Sequence, residues 1–342
     1  MVKIADVARH ARVSASTVSY VLSGKRPISA EVKQRVQDSI TALGYHPHAG
    51  ARSLASRRSN VIALVVPLRS GMHVPVLMQF AASVVTRARH HDHDVLLLTQ
   101  DEGESGLRRV AGSSLADAII VMDVELDDPR LPALRELHVP SVLIGFPADT
   151  SGLTCVDLDF VAAGAACVDH LHELGHRCVA LLGSPHAVYR RGTGYATRVA
   201  RGFRDAIARH DMTGSTHPCG ITREAVAATV RDLLHEHPDL TGIIVHNEPI
   251  IGPLLEELRD CGRRVPDDMS VVAIGPDDLV SRFGVSGVAL PADAVGSTAV
   301  ELVMAKLDGE TVPAATMLRP ILTVRETTAA APLSRRRLKE KA

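Results

Sequence analysis

The sequence predicts a body of two α/β lobes, each a doubly wound parallel sheet, behind a small N-terminal three-helix domain. Three observations predict it. From residue 60 onward, short apolar runs alternate with helical stretches. Before that, three amphipathic stretches fill residues 1–46. Charge is also segregated. Residues 1–60 carry ten Lys/Arg against three acids (Asp6, Glu31, Asp38), a net +7, while residues 61–342 carry 28 bases against 36 acids, a net −8. A basic head on an acidic body points to a polyanion partner for the head alone.

A chain of 342 residues is too long for one core. The division expected is a basic helical head over 1–46, a connecting segment over 47–59, a two-lobed body over 60–328, and a disordered basic tail over 329–342. Hydrophobic residues make up 46% and aromatics only 3%, so the cores must rest on Ala, Val, Leu and Ile. The N-terminus has no signal-peptide pattern, and no apolar run approaches a membrane span, which leads us to expect a cytoplasmic protein with no membrane partner. Cys155, Cys167, Cys178, Cys219 and Cys261 are odd in number and never form CxxC, as reduced thiols would be.

In the head, Ile4, Val7, Ala8 and Ala11 fall at i, i+3, i+4 and i+7, the stripe of a helix with one buried face. Ser14 stands at an N-cap position before a second helix over 15–22. There Val18, Val21 and Leu22 are expected to face inward, leaving Ala15, Ser16, Ser19 and Tyr20 outside. A third helix starts at Ser29, carries Val32, Val36, Ile40 and Leu43 inside, and stops at Gly44. A second helix with a small, hydroxylated outer face suits DNA: hydroxyls near its N-terminus reach phosphate, and exposed side chains reach base edges. A three-helix protein-interaction module is the alternative, and the +7 charge argues against it.

The run from Lys3 to Leu22, with SGKRPIS and LGYHPHAGARSLASRRSNVIALVVP after it, resembles the start of a lactose-repressor/galactose-repressor family regulator. HLHELGHRCVALLG at 170–183 resembles the same family, whose body is a periplasmic-binding-protein-like clam shell. The likeness spans roughly residues 3–325. It implies base reading by Ala15, Ser16 and Tyr20, and phosphate contacts from Ser14, Thr17, Ser19 and Ser23. It also implies a hinge helix over 48–56 that pairs with its dimer mate in the minor groove. Leu54 is wedged there at the operator centre, with Ala51 and Arg52 beside it. Two departures stand out. Arg12 occupies the inter-helix turn where many members have Gly, which requires a tolerated positive φ or a different turn. Tyr20 replaces an arginine, removing a bidentate guanine contact.

In the body, Val61–Val66, Val95–Leu98, Ala118–Val121, Ser141–Ile144, Cys178–Leu182, Gly242–Val245 and Ser270–Ile274 read as buried strands. Helical stretches lie at Val76–Arg89, Phe160–Leu174, Arg198–Arg209, Arg223–His235 and Pro249–Cys261. Repeated β-α-β implies parallel sheets, with ligand beyond the carboxyl ends of the strands. Phe146, Asn247 and Asp277 follow strands, and Arg198 opens a helix after a Gly-rich loop, so these four are the effector candidates. The resemblance places Asn247 and Asp277 on effector positions, whereas Val199 holds the place usual for the family arginine.

His172-Glu173-Leu174-Gly175-His176 spells the zinc-protease pattern HExxH. Gly175 reads instead as the residue that ends a helix, which would separate the two histidines, and no third ligand stands at a standard offset. His90-His91-Asp92-His93 reads as a solvated loop. No phosphate-binding loop, nucleophile elbow or triad is visible, so neither catalysis, a cofactor nor a metal is expected. The function expected is a homodimeric transcription regulator, most simply a repressor, on a near-palindromic operator, controlled by a small molecule such as a sugar or oligosaccharide. Corepression and control by a protein partner fit the same residues. The absence of a heptad tail after Thr328 favours a dimer over a tetramer.

Overall fold

The computed structural model describes residues 2–23, 26–45, 58–69, 71–113 and 115–332. The expectations placed on Ala51, Arg52, Leu54 and the hinge helix lie outside those residues, as does the tail from 333.

In the head, α1 (Ile4–Ala11), α2 (Ala15–Ser23) and α3 (Ala30–Leu43) enclose Val7, Ala8, Ala11, Val18 and Val36. Tyr45, not anticipated, closes this small core from beyond α3. The Lys3 backbone N–H donates to Asp6 Oδ2 (2.9 Å) and fixes the start of α1. Arg12 takes φ +54° and donates its N–H back to Ala8 and Arg9, so the turn keeps its shape with a side chain in the left-handed region. Leu22 departs from expectation: it stands on the last turn of α2, past the reach of this core, and is 40% exposed.

The body holds twelve described strands in two six-stranded sheets. The first runs β11-β5-β4-β3-β1-β2, from β1 (Val61–Val65), β2 (Asp94–Leu98), β3 (Ala118–Val121), β4 (Ser141–Ile144), β5 (Cys155–Leu158) and β11 (Ala315–Leu318), all parallel. The second runs β12-β10-β9-β8-β6-β7, from β6 (Cys178–Gly183), β7 (Thr213–Pro218), β8 (Gly242–Val245), β9 (Ser270–Gly275), β10 (Ser286–Ala289) and β12 (Leu322–Thr323). Only β12 is antiparallel. Each sheet thus repeats one doubly wound order, reversing between β1 and β3 and again between β6 and β8. All seven expected strands are present to within a residue at either end. The missed ones lack a clean apolar run: β5 is broken by Asp157, β7 is a polar edge, and β12 has two residues.

The chain crosses between the sheets three times. The helix Phe160–Glu173 follows β5 yet buries Cys167, Val168 and Leu171 with Val179, Leu181, Ile244 and Val272 of the second sheet. The unpredicted helix Ala292–Leu307 follows β10 but packs Val295, Ala299, Val300 and Val303 on Ile62, Leu64 and Ile120 of the first. β11 then completes the first sheet and β12 the second. Beyond β12, the Ala331 N–H donates to the Leu174 carbonyl (2.8 Å), so the expected tail is tied down past residue 329. The histidine patch is likewise a formed turn and not a solvated loop: Asp92 takes φ +55°, and buried His93 bonds the His91 carbonyl through Nδ1 (2.7 Å).

The helix Phe160–Glu173 and its neighbour Gly194–Arg209 approach at two glycines. A Cβ at Gly202 would lie 1.9 Å from the Val161 carbonyl oxygen, and one at Gly164 2.5 Å from that of Val199. Neither backbone can yield without separating the helices. Gly202→Ala is therefore expected to destabilise the body by about 1–3 kcal/mol, as overpacking does. Gly112→Ala, with nothing within 4 Å, should be near neutral. Paired thermal melts check this, and equal melting of the two variants would contradict it.

Candidate functional site

On the head, Ala15 and Ser16 stand exposed at the start of α2. Ser14 Oγ accepts from the Thr17 N–H (3.1 Å), the expected N-cap, and lies 2.7 Å from Ser16 Oγ and 2.8 Å from Thr17 Oγ1. A hydroxyl cluster therefore sits on the positive end of the helix, an arrangement that suits phosphate oxygens. Thr17, Ser19 and Tyr20 are half-buried. The Tyr20 ring carries the Arg26 guanidinium 5.1 Å from its centroid, which returns a cation to the neighbourhood of the missing arginine. Ser23 is the last residue of α2.

In the body, a cleft opens where the two sheets face one another, and its walls come from both reversal points. Gly71-Met72-His73 follow β1, Met122-Asp123-Val124 follow β3, Ser184-Pro185 follow β6, and His246-Asn247-Glu248 follow β8. Asp157 from β5, Phe80, Phe160, Tyr195 and Leu290 add to the lining. Most of this surface is apolar, with polar groups concentrated at strand ends.

The sequence candidates divide. Asn247 lines the cleft, but its Nδ2 donates to the Gly183 and Cys219 carbonyls (3.2 and 2.8 Å). Asp277 opens the helix Asp277–Arg282 outside the lining, and its Oδ1 accepts from Arg325 (2.7 Å). Phe146 is buried in the first lobe. Arg198 Nη2 donates to the Phe146 and Pro147 carbonyls (3.1 Å each), and its guanidinium lies 5.6 Å from the Phe146 centroid. Arg198 comes from the second lobe and Phe146 from the first, so the pair fastens lobe to lobe. Val199, at the family-arginine position, is fully buried in the second lobe's core.

A second fastening lies beside it. Glu125 bridges Thr193 in antiparallel fashion, the Leu126 N–H donates to Gly192 O (2.8 Å), and the Gly194 N–H donates to Val124 O (2.9 Å). A Cβ at Gly194 would meet the Phe146 carbonyl at 2.9 Å, so this approach needs glycine. Arg69 ties the same loop together, donating to Asp101 (2.8 and 3.0 Å), Asp123 (3.0 Å) and Glu125 (2.8 Å).

Sequence reasoning missed the cleft's titratable groups. Burial pushes the carboxyls of Asp157 and Glu248 up to about 7 each and the His246 imidazole down to about 4. The one sequence signal for Asp157 was a carboxylate interrupting an apolar strand. The HELGH motif is consumed structurally. The helix ends at Glu173 and Gly175 takes φ +90°. His176 is fully buried against Thr241 Oγ1 (2.8 Å) and the Ala329 carbonyl (3.2 Å), while His172 stacks on His210 at 4.0 Å. Among the described residues, no group of three or more His, Cys, Asp or Glu is placed to hold a metal ion. Nor is any described helix long and apolar enough to cross a membrane.

The raised carboxyls give a pH prediction. A folded-state pKa of about 7 at Asp157 means that the folded protein holds a proton that the unfolded chain has released. This contribution is neutral below about pH 4 and increasingly destabilising up to about pH 7. His246 acts with the opposite sign between about pH 4 and 6.5, so the difference between variants is the clean readout. The Tm of Asp157→Asn relative to wild type should rise from pH 5 to 7.5 and level off above that. A pH-independent difference would refute the assignment.

Comparison with known proteins agrees with this geometry. Residues 3–48 match the family described as bacterial regulatory proteins, lacI family, and residues 168–328 match the periplasmic binding protein-like domain. The chain is 25% identical over 333 residues to catabolite control protein A of Staphylococcus xylosus, covering 93% of this chain and 96% of that one. It is 28% identical over 338 residues to the HTH-type transcriptional regulator CelR of Thermobifida fusca, covering 94% and 96%. Among solved structures, a CelR–cellobiose complex aligns with TM-score 0.64 at 26% identity over 96% of this chain and 100% of that one. The Lac repressor dimer bound to operator and the anti-inducer ONPF aligns with TM-score 0.82 at 22% identity, over 96% and 99%. The chain thus joins a lacI-family DNA-binding head to a periplasmic-binding-protein-like body, and it is similar along nearly its whole length to regulators of that kind.

Proposed function

We propose that two copies of this chain repress transcription by holding a near-palindromic operator, and that a sugar or oligosaccharide in the cleft releases it. In this reading Ala15, Ser16 and Tyr20 reach base edges, and Ser14, Thr17, Ser19 and Ser23 reach phosphates. Leu54, flanked by Ala51 and Arg52, wedges the operator centre. The observation that carries the reading is the cleft itself: its walls come from the reversal points of both sheets, so one ligand touches both lobes. A ligand that prefers one lobe arrangement shifts the population towards it and changes operator affinity by as much as that preference. The CelR–cellobiose complex and the operator-bound Lac repressor dimer support both halves of the reading by likeness.

Ligand contact falls to Asn247 and Glu248 from the second lobe and to Asp123 and Asp157 from the first. Arg198 and Phe146 act as the lobe fastening, and Asp277 acts through its pair with Arg325. Dimerisation would cover Val85 (49% exposed) on the helix Val74–His90 and Leu97 (42% exposed) on the edge strand β2. The protein acts in the cytoplasm, with no catalytic step, resident cofactor or metal.

Selection from random DNA duplexes, with wild type beside Leu54→Ala, tests this proposal. Wild type should enrich a near-palindrome whose central step loses its preference in Leu54→Ala, with affinity lower by tenfold or more, about 1.4 kcal/mol. Failure of the folded protein to enrich any sequence at low salt would defeat the operator reading.

A further inference from the structure

The charges around the cleft are unbalanced. Its lining includes three carboxylates, Asp123, Asp157 and Glu248, and two imidazoles, His73 and His246, but no arginine or lysine among the described residues. Asp123 is partly answered from outside the lining, because Arg69 bonds its Oδ2 (3.0 Å) and Arg191 and Arg130 lie close enough to act on it, yet its buried Oδ1 has no hydrogen-bond partner. Asp157 is 8% exposed; its Oδ1 accepts the Leu158 N–H (2.9 Å), and the residue forms no ion pair among the described residues. The cation acting on it is Arg198, whose Nη2 is already committed to two carbonyls. Glu248 has His73 Nδ1 at 3.8 Å, and burial holds that imidazole towards its neutral form. Next to these acids, Phe160, Tyr195 and His246 form a continuous aromatic wall, with centroids 5.6–5.9 Å apart, and His246 Nδ1 is buried without a partner.

We infer that the cleft selects an effector bearing a protonated amine on a polyhydroxy frame, an amino-sugar-type cation, over the neutral or acidic compound of the same frame. The inference rests on the effector reading above and specifies its ligand. A buried carboxylate without a cation is expensive to ionise, and a ligand ammonium supplies the missing partner. Aromatic faces add a site for the same charge and for the apolar face of a sugar ring. A neutral polyol satisfies lone pairs but leaves the charges unanswered. A phosphate or carboxylate would add a like charge beside these acids, with the nearby arginines already engaged outside the lining.

Calorimetric titration of the full chain without DNA tests the selection, using matched probes: glucosamine, glucose and glucuronate; the galactose counterparts; and the glucosamine disaccharide against cellobiose. Benzyltrimethylammonium, benzyl alcohol and benzoate ask the same question without a sugar frame. The amine of at least one sugar set should bind about tenfold tighter than its neutral counterpart, with no binding of the acid. Asp157→Asn and Glu248→Gln should each reduce that preference severalfold, with unchanged far-UV circular dichroism. Equal or tighter binding of the neutral or acidic compound overturns the inference, as does failure of every cation to bind. Binding of benzyltrimethylammonium alone overturns the polyhydroxy frame. Repeating the titration on the selected operator separates the two readings. An amine that binds without shifting operator affinity sinks effector control and leaves the selection standing. A neutral sugar that binds and releases DNA does the reverse.

Discussion

Everything in the body depends on one constraint: the chain passes between the lobes three times, so neither lobe is built from a continuous segment. The first sheet is completed by β11 and covered by Ala292–Leu307, which arrive only after the second sheet has been laid down. Leu290, at one crossing, packs against the cores of both lobes. A rearrangement of one lobe against the other must therefore act through all three crossings at once. Two of the crossings lead into helices packed in close-packed interiors, Phe160–Glu173 and Ala292–Leu307, and the third joins the edge strands β11 and β12.

That constraint also explains where the polar chemistry sits. Central parallel strands such as β3, β4, β8 and β9 are buried along their whole length and apolar inside, so polar residues fall at or beyond their ends, and those of the cleft follow the carboxyl ends. Two sheets with the same strand order point their carboxyl ends into one space. The contacts at Glu125–Thr193 and at Arg198 tie the two lobes together beside this space. Inside, apolar walls and few cations leave Asp157 and Glu248 with raised proton affinities. The electrostatics of the cleft are thus a product of burial more than of any local sequence signal.

The head follows a different logic. Its core is a handful of small side chains, and its stability leans on caps and turns: Asp6 at the start of α1, Arg12 between helices, Ser14 before α2 and Gly44 after α3. Arg12 in the left-handed region costs about 1–2 kcal/mol that glycine would avoid. A small core leaves little margin for such strain, and the same shortness leaves Leu22 largely out of it.

Local patterning determined most of the architecture on its own. Continuous apolar runs placed seven strands, helical periodicity placed the head, and charge segregation assigned DNA to the head alone. The glycine in HELGH was enough to separate its histidines. What the sequence could not decide was anything set by partners distant along the chain. Asp157 was passed over, because only the assembled lobes bury it without an ion-pair partner among the described residues. Arg198 and Phe146 read as ligand contacts, because strand-end position is visible in sequence whereas the lobe that a guanidinium reaches is not. The edge strands β7, β11 and β12 were missed for the same reason. Half-exposed or very short segments carry no periodicity of their own, and they become strands only when a neighbour offers its unpaired backbone. Periodicity records which face of a segment is buried; which neighbour buries it, and with what charge, is decided in three dimensions.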